Sequence, residues 1–330
     1  MALRRYSIEE AVELAERTLV RIGIPIRDSL LIAKHLVAAE LHGYPGHGFR
    51  RMLRMTGGQK AGAATQNAIK IKKTGFLLVD GQGRMGIAAV ADAIDGAIQE
   101  LENSVTTTFG VLNYSGTTGS LGVYASDISR RGVTSILMCN SEFAVAPYGS
   151  SRAVLGTNPI AISMPGHPAG FLADVATAAW SYGSIRDAGL AGRELPAGVV
   201  QTEDGYPSTD PQDADRGSQL PMAGHKGYAL GLAIELLCGA LIGGKCGRDS
   251  VTGSDGFLGV LVRTDAARTI DAVNSDMQKL FAEIRSGPIS PVHREIRIPG
   301  EGWFTSGESS RYVDISENLL RELAELKTKE

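Results

Sequence analysis

Cysteine is scarce in this chain: Cys139, Cys238 and Cys246 are the only three in 330 residues. None falls in a CxxC or CxxH spacing, so a zinc ribbon or finger cannot be written and no metal site is expected. An odd, sparse set of thiols suits a reducing, cytoplasmic compartment. Long hydrophobic runs are also missing. The longest, near 228–243, is broken by Glu235 and reads as a core helix, not a membrane span. After Met1-Ala2-Leu3-Arg4-Arg5-Tyr6-Ser7 the chain enters an amphipathic helix at once, with no signal-type apolar core. A basic excess is absent too. The net charge of −3 gives no footprint for nucleic acid or an anionic membrane surface. Glycine is abundant, at 41 residues, but it is not periodic, which excludes collagen-like and linker readings.

Hydrophobic residues at 43% and charged residues at 21% describe an ordinary folded protein, long enough for one large domain or two to three smaller ones. Ser7 with Glu10 forms a capping box for a helix carrying Ile8, Val12, Ala15 and Leu19. A second helix is predicted from about Asp28 to Gly43. A glycine-rich loop to Gly48 follows it, then a strand at 75–80, a helix at 87–102 and a β-branched strand at 105–112. A helix at 121–131 precedes a strand at 133–138, and short apolar strands alternate with glycine turns up to Asp174. The polar segment 186–220 reads as a long surface excursion. The helix after Gly227 is apolar on nearly all faces and is expected inside the molecule. A strand at 257–262, a helix at 266–284 and an exposed C-terminal helix complete the pattern.

Two short stretches carry cofactor chemistry. Leu155-Gly156-Thr157-Asn158-Pro159-Ile160 is a glycine turn with exposed N–H groups before a strand. Gly224-His225-Lys226-Gly227 places a cation at the start of a helix. Backbone donors, a helix N-terminus and a lysine together suit phosphate oxygens. Asp80-Gly81-Gln82-Gly83-Arg84-Met85-Gly86 matches GxGxxG after a strand. It lacks the acidic residue about 20 positions on that a dinucleotide-binding βαβ unit uses, and reads better as a tight turn. His47 lies between Gly46 and Gly48 with Arg50 and Arg51 beside it. A proton carrier next to a bidentate carboxylate clamp fits a 2-oxo or 2-hydroxy acid; a solvated basic loop is the plain alternative. His35 in mid-helix, and His167 and His293 in turns, read as surface residues.

In order and context these motifs resemble the malate/L-lactate dehydrogenase type 2 oxidoreductases, over about residues 5–325. That group includes ureidoglycolate, sulfolactate, diketogulonate and piperideine-2-carboxylate enzymes. The matching elements are Gly156-Thr157-Asn158-Pro159, Gly224-His225-Lys226-Gly227, Asp204-Gly205-Tyr206-Pro207-Ser208-Thr209-Asp210-Pro211, and the His47/Arg51 pair. The resemblance implies a mixed-sheet α/β fold of the sulfolactate dehydrogenase-like kind, not a Rossmann fold. It implies NAD or NADP as cofactor and a homodimer with the site near its interface. His47 and Arg51 match the family signature, but Gly46 stands where the family usually has serine. In the strand end Asn113-Tyr114-Ser115-Gly116-Thr117-Thr118-Gly119, Thr117 aligns with the family's acid/base histidine. Threonine cannot carry a proton near neutral pH. Asp174-Val175-Ala176-Thr177-Ala178 resembles the segment lying against the nicotinamide and its ribose, with a helix cap as the structural alternative for Asp174. Asn140-Ser141 and Pro299-Gly300-Glu301 match further cofactor contacts.

The expected function is hydride transfer between a nicotinamide and C2 of a small 2-oxo or 2-hydroxy acid. His47, Arg51, Thr117 and Asp174 are the candidate catalytic residues. Asn140, Ser141, Gly156, Thr157, Asn158, Pro159, Asp174, Val175, Ala176, His225, Lys226, Gly300 and Glu301 are the candidate cofactor contacts. Residues 1–110 with 290–330 would supply the substrate and dimer region, and 111–289 the cofactor region. Cyclic ketimine reduction, or nucleotide binding without catalysis, are the alternatives.

Overall fold

The structure is a computed structural model that describes residues 2–55, 66–251, 253–304 and 311–326. The chain begins with β1 (Leu3–Ser7) and α1 (Ile8–Arg21). The capping box forms: Glu10 N–H donates to Ser7 Oγ at 3.2 Å and Ser7 N–H to Glu10 Oε2 at 2.8 Å. Ala11, Ala15 and Leu19 lie on one stripe and pack against Ile32, Ala33 and Leu36 of α2 (Ile26–Leu41). The same cluster takes Leu319 and Leu323 from the C-terminal helix, Glu317–Glu325.

The centre is a seven-stranded mixed sheet. Its strands are β2 (Ala68–Lys73), β3 (Phe76–Asp80), β4 (Thr106–Leu112), β5 (Val133–Cys139), β6 (Ile160–Met164), β7 (Phe171–Val175) and β11 (Phe257–Arg263). They lie in the order β2-β3-β4-β11-β5-β6-β7. Only β3 and β4 are parallel, joined through α3 (Gly86–Glu100); every other neighbouring pair is antiparallel. Side chains alternate across the strands. Leu77, Val79, Phe109 and Leu137 face α3 and α4 (Leu121–Arg130), while Leu78, Leu112, Met138 and Leu258 face the other way. That second face is covered by α7 (His225–Glu235) and the π-helical turn Leu236–Leu241 through Ile234 and Cys238. The sheet takes strands from both sides of residue 110, so the two expected regions share one core.

Two expectations need correction. Segment 186–220 is folded. It carries α5 (Tyr182–Leu190), α6 (Asp213–Arg216) and a small antiparallel sheet of β8 (Val200–Gln201), β9 (Pro207–Ser208) and β10 (Ser218–Gln219). Ile185, Ala188, Leu195, Val199 and Val200 give it a core of its own. The helix after Gly227 is buried on one face only; Leu236 is 52% and Leu241 68% exposed.

The GxGxxG turn is structural. The N–H groups of Gly81, Gly83 and Gly86 donate to the carbonyls of Leu112, Asn113 and Ser115 at 2.7–2.8 Å. Arg84 is fully buried and bonds both Asp28 oxygens (2.6 and 3.1 Å), Asp92 Oδ2 (2.8 Å) and Asn67 Oδ1 (2.8 Å). These bonds occupy the three glycine N–H groups and the Arg84 guanidinium, and through Asp28 and Asp92 the turn ties α2 to α3.

Candidate active site

The first turn of α4 collects acceptors from three parts of the chain. Gly119 N–H donates to Thr117 Oγ1 at 3.0 Å, and Ser120 N–H donates to His35 Nε2 at 2.9 Å. Gly122 N–H and Ser120 Oγ donate to Asp174 Oδ2 at 2.8 and 3.3 Å. Asp174, the penultimate residue of β7, does cap a helix, but the helix is α4, reached across 52 residues, and not one beginning at its own position. Burial raises its carboxyl pKa, opposed by the bonds from Gly122 and Ser120. Thr117 is half-buried, and its hydroxyl closes its own turn.

His47 and Arg51 follow the C-terminus of α2. The loop packs against the start of α5: a Cβ on Gly46 would lie 3.9 Å from Gly183 Cα, ordinary contact distance. From Phe49 the chain coils into a 3-10 helix, Phe49–Arg54, whose first N–H is held by Glu40 Oε2 at 2.9 Å. His47 is less exposed than its glycine neighbours suggest. Its Nδ1 is buried without a partner among the described residues, and burial followed by the Arg51 charge lowers its pKa to about 4. Arg51 is largely buried, and desolvation lowers its pKa. Its guanidinium has no side-chain hydrogen bond or ion pair among the described residues, so its charge has no counterion there. His35, read as a surface residue, is 4% exposed; burial and then the neighbouring His47 lower its pKa to about 3.

The cofactor motifs meet on the opposite side of β5–β7. Ser141 Oγ accepts from Thr157 N–H at 3.1 Å and sits 3.4 Å from Thr157 Oγ1. Gly156 is required, because a Cβ there would lie 2.3 Å from Ser141 Oγ. Thr157 and Asn158 carbonyls accept from Thr177 Oγ1, which draws Ala176 and Ala178 alongside. Val175, 44% exposed, pairs with Ile160, and half-buried Pro159 leads into that strand. The side chains of Asn140 and Asn158 turn into the protein. Both are fully buried and both amides donate to Glu235, at 3.2 and 2.7 Å. Gly247 N–H donates to the same carboxylate at 2.8 Å. Glu235 therefore fixes the turn, the end of β5 and α7 together; its only sequence signal was a lone carboxylate in an apolar helix.

The N-terminus of α7 is open. No side chain among the described residues caps it, Ala223 and Gly224 are left-handed (φ 48° and 62°), and His225 and Lys226 are exposed. The His225 ring lies 6.0 Å from that of Tyr148. Met222 N–H bonds Thr177 O at 2.9 Å, which brings this helix end beside the Thr157–Ala178 cluster. Uncapped N–H groups, a lysine and two hydroxyls suit a diphosphate.

The turn at 299–302 packs on β7, where Leu172 N–H donates to Pro299 O at 3.2 Å. Gly300 (φ 92°) approaches β7 so closely that a Cβ would lie 2.5 Å from Leu172 N, and Glu301 pairs with Arg285 of α8 (Ile270–Ser286). Trp303 behind it stacks on His42 at 4.1 Å and Tyr44 at 5.3 Å, and leaves room for no side chain at Gly122. His42, Tyr44 and Trp303 escape the sequence reading, and His35 and Glu235 are given no role in it. Among the described residues no helix is long and apolar enough to cross a membrane.

Residues 6–324 match the family model described as malate/L-lactate dehydrogenase. The L-sulfolactate dehydrogenase of Methanothermobacter thermautotrophicus is 32% identical, over 97% of this chain and 95% of its own length. A Δ1-pyrroline-2-carboxylate/Δ1-piperideine-2-carboxylate reductase of Pseudomonas aeruginosa is 30% identical, over 98% and 99%. The sulfolactate dehydrogenase structure from Methanocaldococcus jannaschii superposes with a TM-score of 0.87 at 28% identity, covering 97% of this chain and 95% of that one. With that fold and these motifs in place, the chain belongs to the malate/L-lactate dehydrogenase family, an oxidoreductase family whose chemistry implies a nicotinamide cofactor.

Proposed function

We propose that the protein is a 2-hydroxy acid dehydrogenase acting at C2 of a small carboxylate, with His47 as the proton acceptor and Arg51 as the carboxylate receptor. One observation carries the reading: a largely buried guanidinium without an anionic partner among the described residues lies beside a buried imidazole whose Nδ1 is also without one. A substrate carboxylate would supply the missing charge bidentately. A bound nicotinamide supplies the hydride acceptor at its C4. As the C2 hydrogen leaves with its electron pair, the hydroxyl proton passes to His47. With its pKa lowered to about 4, His47 is neutral at pH 7 and competent as a base. Asp174, Thr117 and Trp303 would shape the floor of the site. Ser141, Gly156, Thr157, Val175, Ala176, His225, Lys226, Gly300 and Glu301 would face the cofactor, NAD or NADP. In this assignment 1–110 with 290–330 serves the substrate and 111–289 the cofactor.

A second reading, cyclic ketimine reduction, draws on the same lowered pKa. A neutral imidazole is a poor acid for a ketone, whereas an iminium brings its own proton. We place the enzyme in the cytoplasm and as a homodimer. The early helices pack mostly within their own chain, so the argument for a dimer moves to the exposed Leu236 and Leu241. Sedimentation at micromolar concentration should give a dimer mass; a monomer would contradict it.

The deciding experiment is a nicotinamide absorbance screen. 2-Hydroxy acids would be offered with NAD⁺ and NADP⁺, and 2-oxo acids with NADH and NADPH, with and without ammonia or methylamine. Cyclic ketimines form the third series. Turnover of 2-hydroxy acids is expected; turnover of ketimines alone selects the second reading. Cofactor binding with no turnover in any series would overturn both.

A further inference from the structure

We propose that His35 is a positioning residue for the reaction, locking the two halves of the site to each other. The inference rests on the reading of His47, Arg51, Thr117 and Asp174 as one site. His35 belongs to α2, the helix that leads into the His47 loop, yet its imidazole reaches into α4. Its Nε2 accepts the Ser120 N–H at 2.9 Å, a contact spanning 85 residues. For Nε2 to accept, the ring must be neutral and carry its proton on Nδ1.

The fit is close on every side. A Cβ on Gly119 would lie 2.2 Å from His35 Nε2, and Gly119 is left-handed at φ 80°, so glycine is what admits the ring. The ring also meets Tyr124 of α4, at 4.6 Å between ring centres. Tyr124 Oη in turn donates to Thr118 O at 2.7 Å. Ser120 precedes the first residue of α4 but does not cap it; its hydroxyl goes to Asp174. Within four residues, the amides of Gly119, Ser120 and Gly122 are held by Thr117, His35 and Asp174. Of these three acceptors only His35 comes from α2, the helix that leads directly into the segment holding His47 and Arg51. Removing its lone pair leaves a buried N–H without a partner and frees α4 and Asp174 to shift against the His47 loop. Displacements of about 1 Å at a reacting centre can cost on the order of 100-fold in rate.

The test compares His35→Gln with His35→Asn. Glutamine can place its amide oxygen where Nε2 sits; asparagine reaches only as far as Nδ1. The expected result is kcat within about threefold of wild type for Gln and about 10–100-fold lower for Asn. KM for the carboxylate substrate should stay within about threefold in both, since Arg51 is untouched. Cofactor affinity, read by fluorescence, should not change in either. Hydrogen exchange at the Ser120 amide, measured without substrate, should be faster in Asn than in Gln. Equal kcat in the two variants, or equal exchange, would overturn the inference. A wild type with no turnover would sink the functional reading instead, and the exchange comparison would still decide the role of His35.

Discussion

Arg51 and His47 show how burial sets chemistry at a single residue. Desolvating a guanidinium is costly unless an anion arrives, and the described residues supply none. Arg51→Ala should therefore raise KM for the carboxylate by about 10–100-fold, roughly 1.5–3 kcal/mol of charge-assisted bonding, with a smaller effect on kcat. Steady-state kinetics decide this; an unchanged KM with a collapsed kcat would mean that Arg51 contacts the transition state instead. His47 gives a different readout. A base must be unprotonated, and this one has a pKa of about 4 in the free enzyme, against an ordinary 6.5. The kcat/KM for hydroxy acid oxidation should therefore show its His47 acid limb near pH 4, with no His47 limb near 6.5. A half-point at 6–7 that disappears in His47→Gln would show that the imidazole is solvated, contrary to its place here. Thr117 cannot share this work, because its hydroxyl already accepts the Gly119 N–H and has no titration of its own near neutral pH.

At the scale of elements, α7 has two ends with opposite tasks. Its C-terminal Glu235 fixes Asn140, Asn158 and Gly247, while its uncapped N-terminus offers backbone donors beside Lys226. Lys226→Ala should weaken NAD(H) or NADP(H) binding by about 1–2 kcal/mol, because the helix N-terminus remains. The loss should shrink at high salt, since the lysine is exposed. Calorimetry at two ionic strengths tests both statements, and an unchanged dissociation constant would remove Lys226 from the cofactor side. Elements defined by local signals were legible in the sequence. The capping box at Ser7 and Glu10 and the left-handed Gly224 at the start of α7 lie within a few residues of what they shape. Contacts made over distance were not. His35 matters only through an amide 85 residues away, and Trp303 through a loop near His42. The two-residue strands β8, β9 and β10 are too short to show a period, so 186–220 reads as irregular although it has a core.

For the whole molecule, β1 pairs with β12 (Tyr312–Ser316), so the first and last strands close one hydrophobic cluster together with α1, α2 and the C-terminal helix. His35 lies on α2, inside that closure, and its protonation bears on global stability. Its pKa falls from 6.5 to about 3 on folding because burial disfavours the charged ring. Between those values the unfolded chain binds the proton and the native state does not. Stability therefore rises with pH up to about 6.5, and is lost as pH falls from there toward 3. Asp255 acts in the opposite sense. Burial raises its carboxyl to about 6, so between the ordinary 3.8 and 6 the folded state holds the extra proton. Asp174 and Glu40 are raised by burial in the same direction. A wild-type stability curve alone mixes these signs, but a difference between two proteins cancels the shared carboxyls. Relative to His35→Gln, wild type should lose about 1.4 kcal/mol for each pH unit below 6.5, the slope of one proton. Urea unfolding of both proteins at pH 7, 6 and 5 measures that difference. A constant offset across the three would mean that His35 titrates normally in the folded state, and so is neither buried nor held neutral by the Ser120 amide.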